Sequence, residues 1–124
     1  MTALVSARVA DPGHVREGLR DLAIASEGKS HRTYAVLGEL PGSREELMDL
    51  GRLVVRLDIT SLVVVGEAGP VHAGAVLEGS WGEESRHVET EADAVALLEA
   101  ELRDHDVVLV SGLPQVAAAL EARA

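Results

Sequence analysis

Three short aliphatic segments of the sequence each end in a glycine, at Gly38, Gly66 and Gly112. Each segment is predicted to be a β-strand, and a glycine at the carboxyl end of a strand allows the backbone to approach a nucleotide or a phosphate closely. The same residue also suits a tight turn from strand to helix, because glycine adopts a positive φ at little cost. We expect the tight turn at each position, with ligand contact as the alternative.

The motif Gly-Glu-Ala-Gly at residues 66–69 has the composition of a phosphate-binding loop but not its pattern. It lacks the Lys-Ser/Thr pair of a Walker motif and the third glycine of a dinucleotide-binding fingerprint. Glu67 would also repel a phosphate at this position. These residues therefore imply no cofactor.

Other side chains capable of chemistry are scattered along the chain. The histidines are His14, His31, His72, His87 and His105. None stands at metal-ligand spacing from another histidine or a carboxylate on one helix face, so we expect solvated histidines and no metal site. Ser111 lacks the frame of a nucleophile elbow. Lys29, the only lysine, lies in a loop predicted ahead of the second strand, which argues against a receiver-type phosphoacceptor site. The sequence therefore predicts no catalytic residue.

The composition excludes several classes of partner. The chain has 21 acidic and 11 basic residues, a formal net charge of -10, and such a field repels nucleic acid. It has no cysteine, so it forms neither disulfides nor thiolate metal sites. The amino terminus is too polar for a signal peptide, and no apolar run reaches the roughly 20 residues of a membrane span. We expect a cytoplasmic protein without a membrane span.

Strand-like and helix-like segments alternate along the whole chain. Strands are predicted over residues 2–5, 33–37, 61–65, 86–89 and 106–110. Two short helices are predicted over residues 70–77 and 114–122, and three longer helices begin at the capping residues described below. Near-continuous Val/Leu runs are typical of strands that are covered on both faces. The alternation predicts a three-layer, Rossmann-like α/β domain, with a mainly parallel sheet of about five to six strands flanked by helices. Residues 1–124 are predicted to form one domain, with a surface loop at 79–85.

The three capping residues mark the starts of the longer helices. Asp11 precedes Pro12, which is the pattern of an N-cap followed by proline at the first helical position. Ser43 is followed three residues later by Glu46, which predicts a capping box. Thr90 begins the helix that precedes the last strand.

Four segments carry a resemblance to a known family. Ala-Asp-Pro-Gly-His at residues 10–14 resembles an Ala-Asn-Pro-x-Ser segment, and Tyr-Ala-Val-Leu-Gly-Glu-Leu at 34–40 resembles a strand with a Leu-Gly-Asp-Met turn. Residues 50–66 follow a helix-strand unit, and the fourth segment, residues 91–98 together with 105–112, matches a final helix and strand. Their order and spacing are similar to the C-terminal domain of the Mur ligases, most closely the branch that adds D-alanyl-D-alanine.

The resemblance implies a role within a larger assembly. Mur ligases activate a carboxylate as an acyl phosphate, which an amine then attacks. Their central domain holds most of the ATP and magnesium contacts, and their C-terminal domain closes over the site. By resemblance, the residues near nucleotide or substrate are Asp11, Pro12, Glu39, Ser111 and Gly112.

Several ligand-facing residues depart from the family pattern. Residues 6–9 replace an Asp-x-Tyr-Asn segment, Asp11 replaces Asn, and Glu39 replaces Asp in a shortened turn. Leu47 stands where a histidine is usual. Ser-Gly-Leu-Pro at residues 111–114 replaces Lys-Gly-Ser-Arg, so the positive charge that would face phosphates or carboxylates is lost.

These departures lead to three hypotheses. The first is that the isolated chain is not catalytic, needs no cofactor of its own, and acts with other Mur ligase domains or a protein partner, or as a degenerate paralogue. The second is a non-catalytic binding or regulatory module on the same scaffold. The third is a piece of a full ligase, which the missing motif residues weaken.

Overall fold

Short aliphatic segments of the chain form a sheet in which the neighbouring strands run parallel. The computed structural model describes residues 2–6, 11–27, 31–79 and 84–123. Within them the strands are β1 (Thr2–Ser6), β2 (Thr33–Gly38), β3 (Ser61–Val65), β4 (Ser85–Val88) and β5 (Val107–Ser111). Their order across the sheet is β1-β5-β2-β3-β4. The strand that comes last in the chain therefore lies between the first two.

Helices cover both faces of this sheet. They are α1 (Pro12–Ser26), α2 (Arg44–Arg56), α3 (Gly69–Glu78), α4 (Glu91–Glu101) and α5 (Pro114–Arg123), with a 3-10 turn at Gly66–Ala68 before α3. Apolar side chains of α1, α2 and α3 form a core with one face of the sheet, and those of α4 and α5 form a second core with the other face. The predicted three-layer α/β fold is confirmed, with five strands among the described residues.

Burial follows the position of each strand in the sheet. Every residue of β2, β3 and β5 is buried, because helices cover both of their faces. In the edge strand β4 only Ser85 is buried, and the other three residues are half-buried or exposed. The near-continuous apolar runs of the sequence therefore indicated the central strands correctly.

The predicted helix starts are confirmed. Asp11 caps α1 by accepting a hydrogen bond from the His14 amide, and Thr90 caps α4 in the same way. Ser43 and Glu46 form a reciprocal capping box at α2. No helix among the described residues is long and apolar enough to cross a membrane. Lys29 and most of the predicted loop at 79–85 lie outside the described residues.

Candidate functional site

The carboxyl ends of three adjacent strands bring the predicted site residues to one edge of the sheet. Asp11 follows β1, Glu39 follows β2, and Ser111 with Gly112 ends β5, which lies between them. The helix after β5 covers one face of the sheet, whereas those after β1 and β2 cover the other. Such a change of side opens a crevice at the strand ends, where ligands bind in α/β folds. We call this the carboxyl-edge site; residues 7–10, which come between β1 and Asp11 in the sequence, are outside the described residues.

Asp11 uses its carboxylate within the protein. Its Oδ1 accepts a hydrogen bond of 2.9 Å from the His14 amide, and its Oδ2 lies 2.6 Å from His14 Nδ1. The backbone hydrogen bond from His14 is the main reason that the pKa of Asp11 lies below its ordinary value. Pro12 contacts the loop that contains Gly42, since a Cβ at Gly42 would lie 3.1 Å from Pro12 Cγ. Both residues are therefore placed at the edge, and Asp11 serves as a helix cap.

Gly112 allows the turn after β5 to lie directly against the end of β2. Its φ is +71°, and a Cβ at this position would lie 2.1 Å from the Gly38 carbonyl oxygen. Ser111 is buried at the end of β5, with 3 % of its surface exposed. Gly66 also has a positive φ, of +66°. The tight-turn interpretation is therefore confirmed for Gly66 and Gly112.

The turn after β2 differs from the prediction. Gly38 remains in the strand and packs against Leu113, whose Cδ2 would lie 2.4 Å from a Cβ there. The left-handed conformation falls instead on Glu39, with φ of +42°. A residue other than glycine with a positive φ has a modest conformational cost, and such residues are common at functional turns. Glu39 is exposed and stands at the rim of the site.

At the helix N-termini around the site, side-chain oxygen atoms of the protein accept hydrogen bonds from backbone amides. Asp11 caps α1, and the Ser43–Glu46 capping box closes α2. At α5, Glu91 reaches across from α4, and its Oε2 accepts hydrogen bonds of 2.7 Å from the Gln115 amide and 3.1 Å from the Val116 amide. A helix N-terminus is the usual place for a phosphate. A carboxylate of the chain itself occupies that place at α5.

Carboxylates also dominate the charge of the described helix starts along this edge. The first turns of α2, the 3-10 helix and α4 carry acidic residues, namely Glu45, Glu46, Glu67, Glu91 and Asp93. Arg44 is the first residue of α2. These residues do not fit a triphosphate or a magnesium–ATP complex, because both need positive charge or free amide donors for the phosphate oxygens.

The amino ends of the strands hold a different polar cluster, which sequence reasoning missed. Arg32 donates to both carboxylate oxygens of Asp106, at 3.0 and 2.6 Å, and to the Glu101 carbonyl. Arg86 pairs with Glu101 and donates to Ser61 Oγ at 2.8 Å. The Arg32 guanidinium also lies 5.5 Å from the ring centroid of Tyr34, which borders a groove of about 550 Å³. We call this the amino-edge cluster.

The histidines are more varied than predicted. His87 is exposed, and His14 is exposed and bonded to Asp11, whereas His72 is half-buried and lies 2.6 Å from Ser85 Oγ through its Nδ1. The prediction of solvated histidines is therefore wrong for His72. Burial is the main cause of its lowered pKa. Among the residues that the structure describes, no group of three or more His, Cys, Asp or Glu side chains is arranged to hold a metal ion.

Known proteins similar to this chain are ligases of peptidoglycan precursors. No protein-family model matches the chain. The UDP-N-acetylmuramoyl-tripeptide–D-alanyl-D-alanine ligase of Mycobacterium leprae (strain TN) is 42 % identical over 118 residues, which cover 82 % of this chain and 23 % of that protein. The ligase of the same name from Mycobacterium tuberculosis (strain H37Rv) is 42 % identical over 147 positions, which cover 98 % of this chain and 29 % of that protein. This alignment is longer than the chain, so the relative carries residues within the matched range that this chain lacks.

A solved structure shows the same fold. It is a crystal structure of a domain assigned to a UDP-N-acetylmuramate:L-alanyl-γ-D-glutamyl-meso-diaminopimelate ligase from Haemophilus ducreyi, with a TM-score of 0.63 and 13 % identity. The match covers 97 % of this chain and 85 % of that domain. The chain spans less than a third of the length of the ligases that it matches in sequence. The resemblance seen in the sequence is confirmed: the chain is homologous to one segment of the UDP-N-acetylmuramoyl-tripeptide–D-alanyl-D-alanine ligases and has a Mur ligase domain fold.

Proposed function

We propose that this chain, residues 1–124, is a single C-terminal-type lobe of an amide-forming Mur ligase, and that it has no catalytic activity by itself. In this proposal it acts in the cytoplasm with other domains that bind ATP, magnesium and the peptidoglycan precursor. The surface that meets those domains is the carboxyl-edge site, with Asp11, Pro12, Glu39, Ser111 and Gly112. The homology to one segment of the D-alanyl-D-alanine-adding ligases supports this assignment.

The observation that carries the proposal is the state of the helix N-termini at this edge. Formation of an acyl phosphate builds negative charge that must be met by positive groups or free amides in a closed site. Here the α5 amides already bind Glu91, and Asp11 already caps α1. The lobe can close over a site, but another polypeptide has to provide the phosphate contacts.

A second function is favoured by the negative charge of the same edge. A lobe that has lost its nucleotide role could serve as a non-catalytic binding or regulatory module. Its partner would then present basic side chains, because the carboxylates at the starts of α2 and α4 repel acidic surfaces. The two functions differ in whether ligase activity depends on the chain.

The first experiment asks whether the chain acts alone. We expect the purified protein with magnesium–ATP, UDP-N-acetylmuramoyl-tripeptide and D-alanyl-D-alanine to release no phosphate, and ATP to show no saturable binding below about millimolar concentration in calorimetry. Micromolar ATP affinity, or amide formation by the chain alone, would contradict the proposal.

The second experiment separates the two functions. The Mycobacterium tuberculosis ligase is truncated to remove the segment homologous to this chain, and its activity is measured with and without the chain added in trans. Restored amide formation supports the lobe, with the relative's own excised segment as the positive control. If that segment restores activity and this chain does not, the binding module is the better assignment.

A further inference from the structure

Two histidines from different elements approach each other beside the edge strand. His72 lies in α3 and His87 in β4, with ring centroids 6.1 Å apart and ring planes inclined by 36°. They stand at the β3–β4 side of the sheet, away from the carboxyl-edge site between β1 and β2. The Mur ligase assignment gives them no role.

Among the residues that the structure describes, each of these rings has a hydrogen bond at one of its two nitrogens. His87 Nε2 lies 2.6 Å from the Gly66 carbonyl oxygen, which only accepts, so Nε2 carries the proton and Nδ1 keeps its lone pair. His72 Nδ1 lies 2.6 Å from Ser85 Oγ, and when it donates to that hydroxyl its Nε2 is free. Metal-binding histidines are oriented by outer hydrogen bonds of this kind.

We propose that His72 and His87 together bind a divalent transition-metal ion such as Zn²⁺, Ni²⁺ or Cu²⁺. With metal–nitrogen bonds of about 2.0–2.1 Å, two imidazoles on one ion have centroids from about 5 Å apart at the tetrahedral angle to about 6.5 Å apart in trans positions. The observed separation of 6.1 Å falls in this range. Because the two imidazoles are the only protein ligands assigned to it, the bound ion keeps water molecules in its remaining positions.

Two further features favour a cation at this place. His87 is exposed, which gives an ion access from solvent. Glu67 and Glu89 follow the ends of β3 and β4, and their charge attracts cations.

Gly69 provides room for the His87 ring. A Cβ at Gly69 would lie 3.0 Å from His87 Cε1 and 3.5 Å from its Nδ1. The glycine therefore lets the imidazole lie against the start of α3. An alanine at this position would push the ring away from the orientation in which its Nδ1 is available.

The second histidine pair of the protein offers a matched control. His31 and His105 have centroids 5.6 Å apart, but their rings are stacked with planes only 11° apart. The nitrogen lone pairs lie in the ring planes, so in a parallel stack they do not converge on one point. His105→Gln should therefore leave metal binding unchanged.

The test is a titration of the untagged protein with ZnCl₂, followed by calorimetry and by NMR of the histidine ring protons. We expect one ion per chain, with the largest shifts at His72 and His87 and none with MgCl₂, because hard cations prefer oxygen ligands. His72→Gln and His87→Gln should each weaken binding at least about tenfold, and Ser85→Ala about tenfold through loss of the outer hydrogen bond. Wild-type thermal unfolding temperatures in the metal-free variants establish that they are folded.

Two results would overturn the proposal. One is an unchanged Zn²⁺ affinity in folded His72→Gln and His87→Gln proteins. The other is a set of ring shifts confined to His14, His31 or His105. Neither result bears on the ligase assignment, which concerns the ends of β1, β5 and β2.

Discussion

Charged side chains make different contacts at the amino edge and the carboxyl edge of the parallel sheet. At the amino edge, arginines are held by specific partners: Arg32 by Asp106, Arg86 by Glu101, and Arg56 by Glu78 between the ends of α2 and α3. At the carboxyl edge, carboxylates bond to backbone amides at helix starts, as Asp11 and Glu91 do. Charge pairing across elements therefore belongs to the amino edge, and helix capping belongs to the carboxyl edge.

This difference follows from the geometry of a parallel α/β fold. Helices begin at the carboxyl edge, where the positive end of the helix dipole attracts carboxylates. Helices end at the amino edge, where arginines are favoured by the negative end. In the described residues, the capped edge keeps exposed carboxylates at its helix starts that other molecules can meet. At the amino edge, the ion pairs of Arg32, Arg56 and Arg86 serve the stability of the fold.

The largest effect is expected at the carboxyl edge, for Gly112→Ala. The new Cβ would lie 2.1 Å from the Gly38 carbonyl oxygen, and the residue has a φ of +71°. The left-handed conformation costs an alanine about 1–2 kcal/mol, and the clash adds about 1–3 kcal/mol. We expect a loss of about 3–4 kcal/mol in the free energy of unfolding, measured by urea denaturation.

Gly66→Ala is the matched control for this change. Gly66 has nearly the same φ, +66°, but its nearest neighbour to a new Cβ is the Glu89 carbonyl oxygen at 3.7 Å. Only the conformational cost of about 1–2 kcal/mol should remain. Equal losses in the two variants would show that the Gly112–Gly38 approach is looser than the structure has it.

The next largest effect is expected at the amino edge, for Asp106→Asn. The Asp106 side chain is 4 % exposed and accepts hydrogen bonds from Arg32 and from the Arg103 amide. Removing its charge takes away the ion pair of Arg32, which keeps its hydrogen bond to the Glu101 carbonyl. Because Arg32 is 31 % exposed, solvent compensates in part for the loss. We expect a loss of about 2–3 kcal/mol in urea denaturation.

An exposed ion pair serves as the control for that substitution. Asp49 is 53 % exposed and pairs with Arg52 within α2. Exposed pairs of this type contribute less than about 0.5 kcal/mol, so Asp49→Asn should be nearly neutral. A similar loss in both aspartate variants would contradict the special role given to the amino edge.

The stability of the amino edge should also depend on pH. The pKa of Glu101 is lowered mainly by its hydrogen bond from Arg86. Burial raises the pKa of Asp106, but hydrogen bonds from Arg32 and the Arg103 amide outweigh it, so the net pKa is lowered. A carboxylate whose pKa is lower in the folded chain stabilises the fold above its unfolded pKa, and this stabilisation is lost as the pH falls through the folded value.

The measurement is the difference in unfolding free energy between wild type and Asp106→Asn across about pH 7 to pH 3. We expect the difference to stay constant above about pH 5 and to shrink below the ordinary Asp value of 3.8. A difference that persists unchanged, or that grows, as the solution becomes acidic would show that the Asp106 carboxylate is not the stabilising species.

Most of the fold could be predicted because local signals agreed with each other. The apolar runs, the capping residues Asp11, Ser43 and Thr90, and their alternation define the elements within a few residues of their observed bounds. The close crossing of α2 and α3 was not predicted. A Cβ at Gly51 would lie 1.9 Å from the Val71 carbonyl oxygen, and one at Gly74 would lie 2.0 Å from that of Met48. The sequence around a glycine inside a helix does not indicate which other backbone segment that glycine contacts.

The site was harder to predict because its contacts join residues far apart in the chain. Local turn chemistry indicated the strand ends, and the resemblance indicated Asp11, Glu39 and Gly112. The strand order, with β5 between β1 and β2, decides which of these residues meet. The Arg32–Asp106 pair spans 74 positions and depends on the same strand order. The contact between Glu91 and the α5 amides likewise links separate helices, and no pattern in either helix predicts it.

The smallest effect is expected for Glu91→Ala, which opens the α5 N-terminus. Loss of its hydrogen bonds to the Gln115 and Val116 amides should cost about 1 kcal/mol, as for other helix caps. Glu99→Ala, an exposed substitution later in the same helix, should cost less than about 0.5 kcal/mol. Inorganic phosphate can then bind the freed amides, so it should raise the thermal unfolding temperature of Glu91→Ala more than that of wild type or Glu99→Ala. If phosphate stabilises all three proteins equally, the anion binds elsewhere, and Glu91 does not keep phosphate from the carboxyl edge.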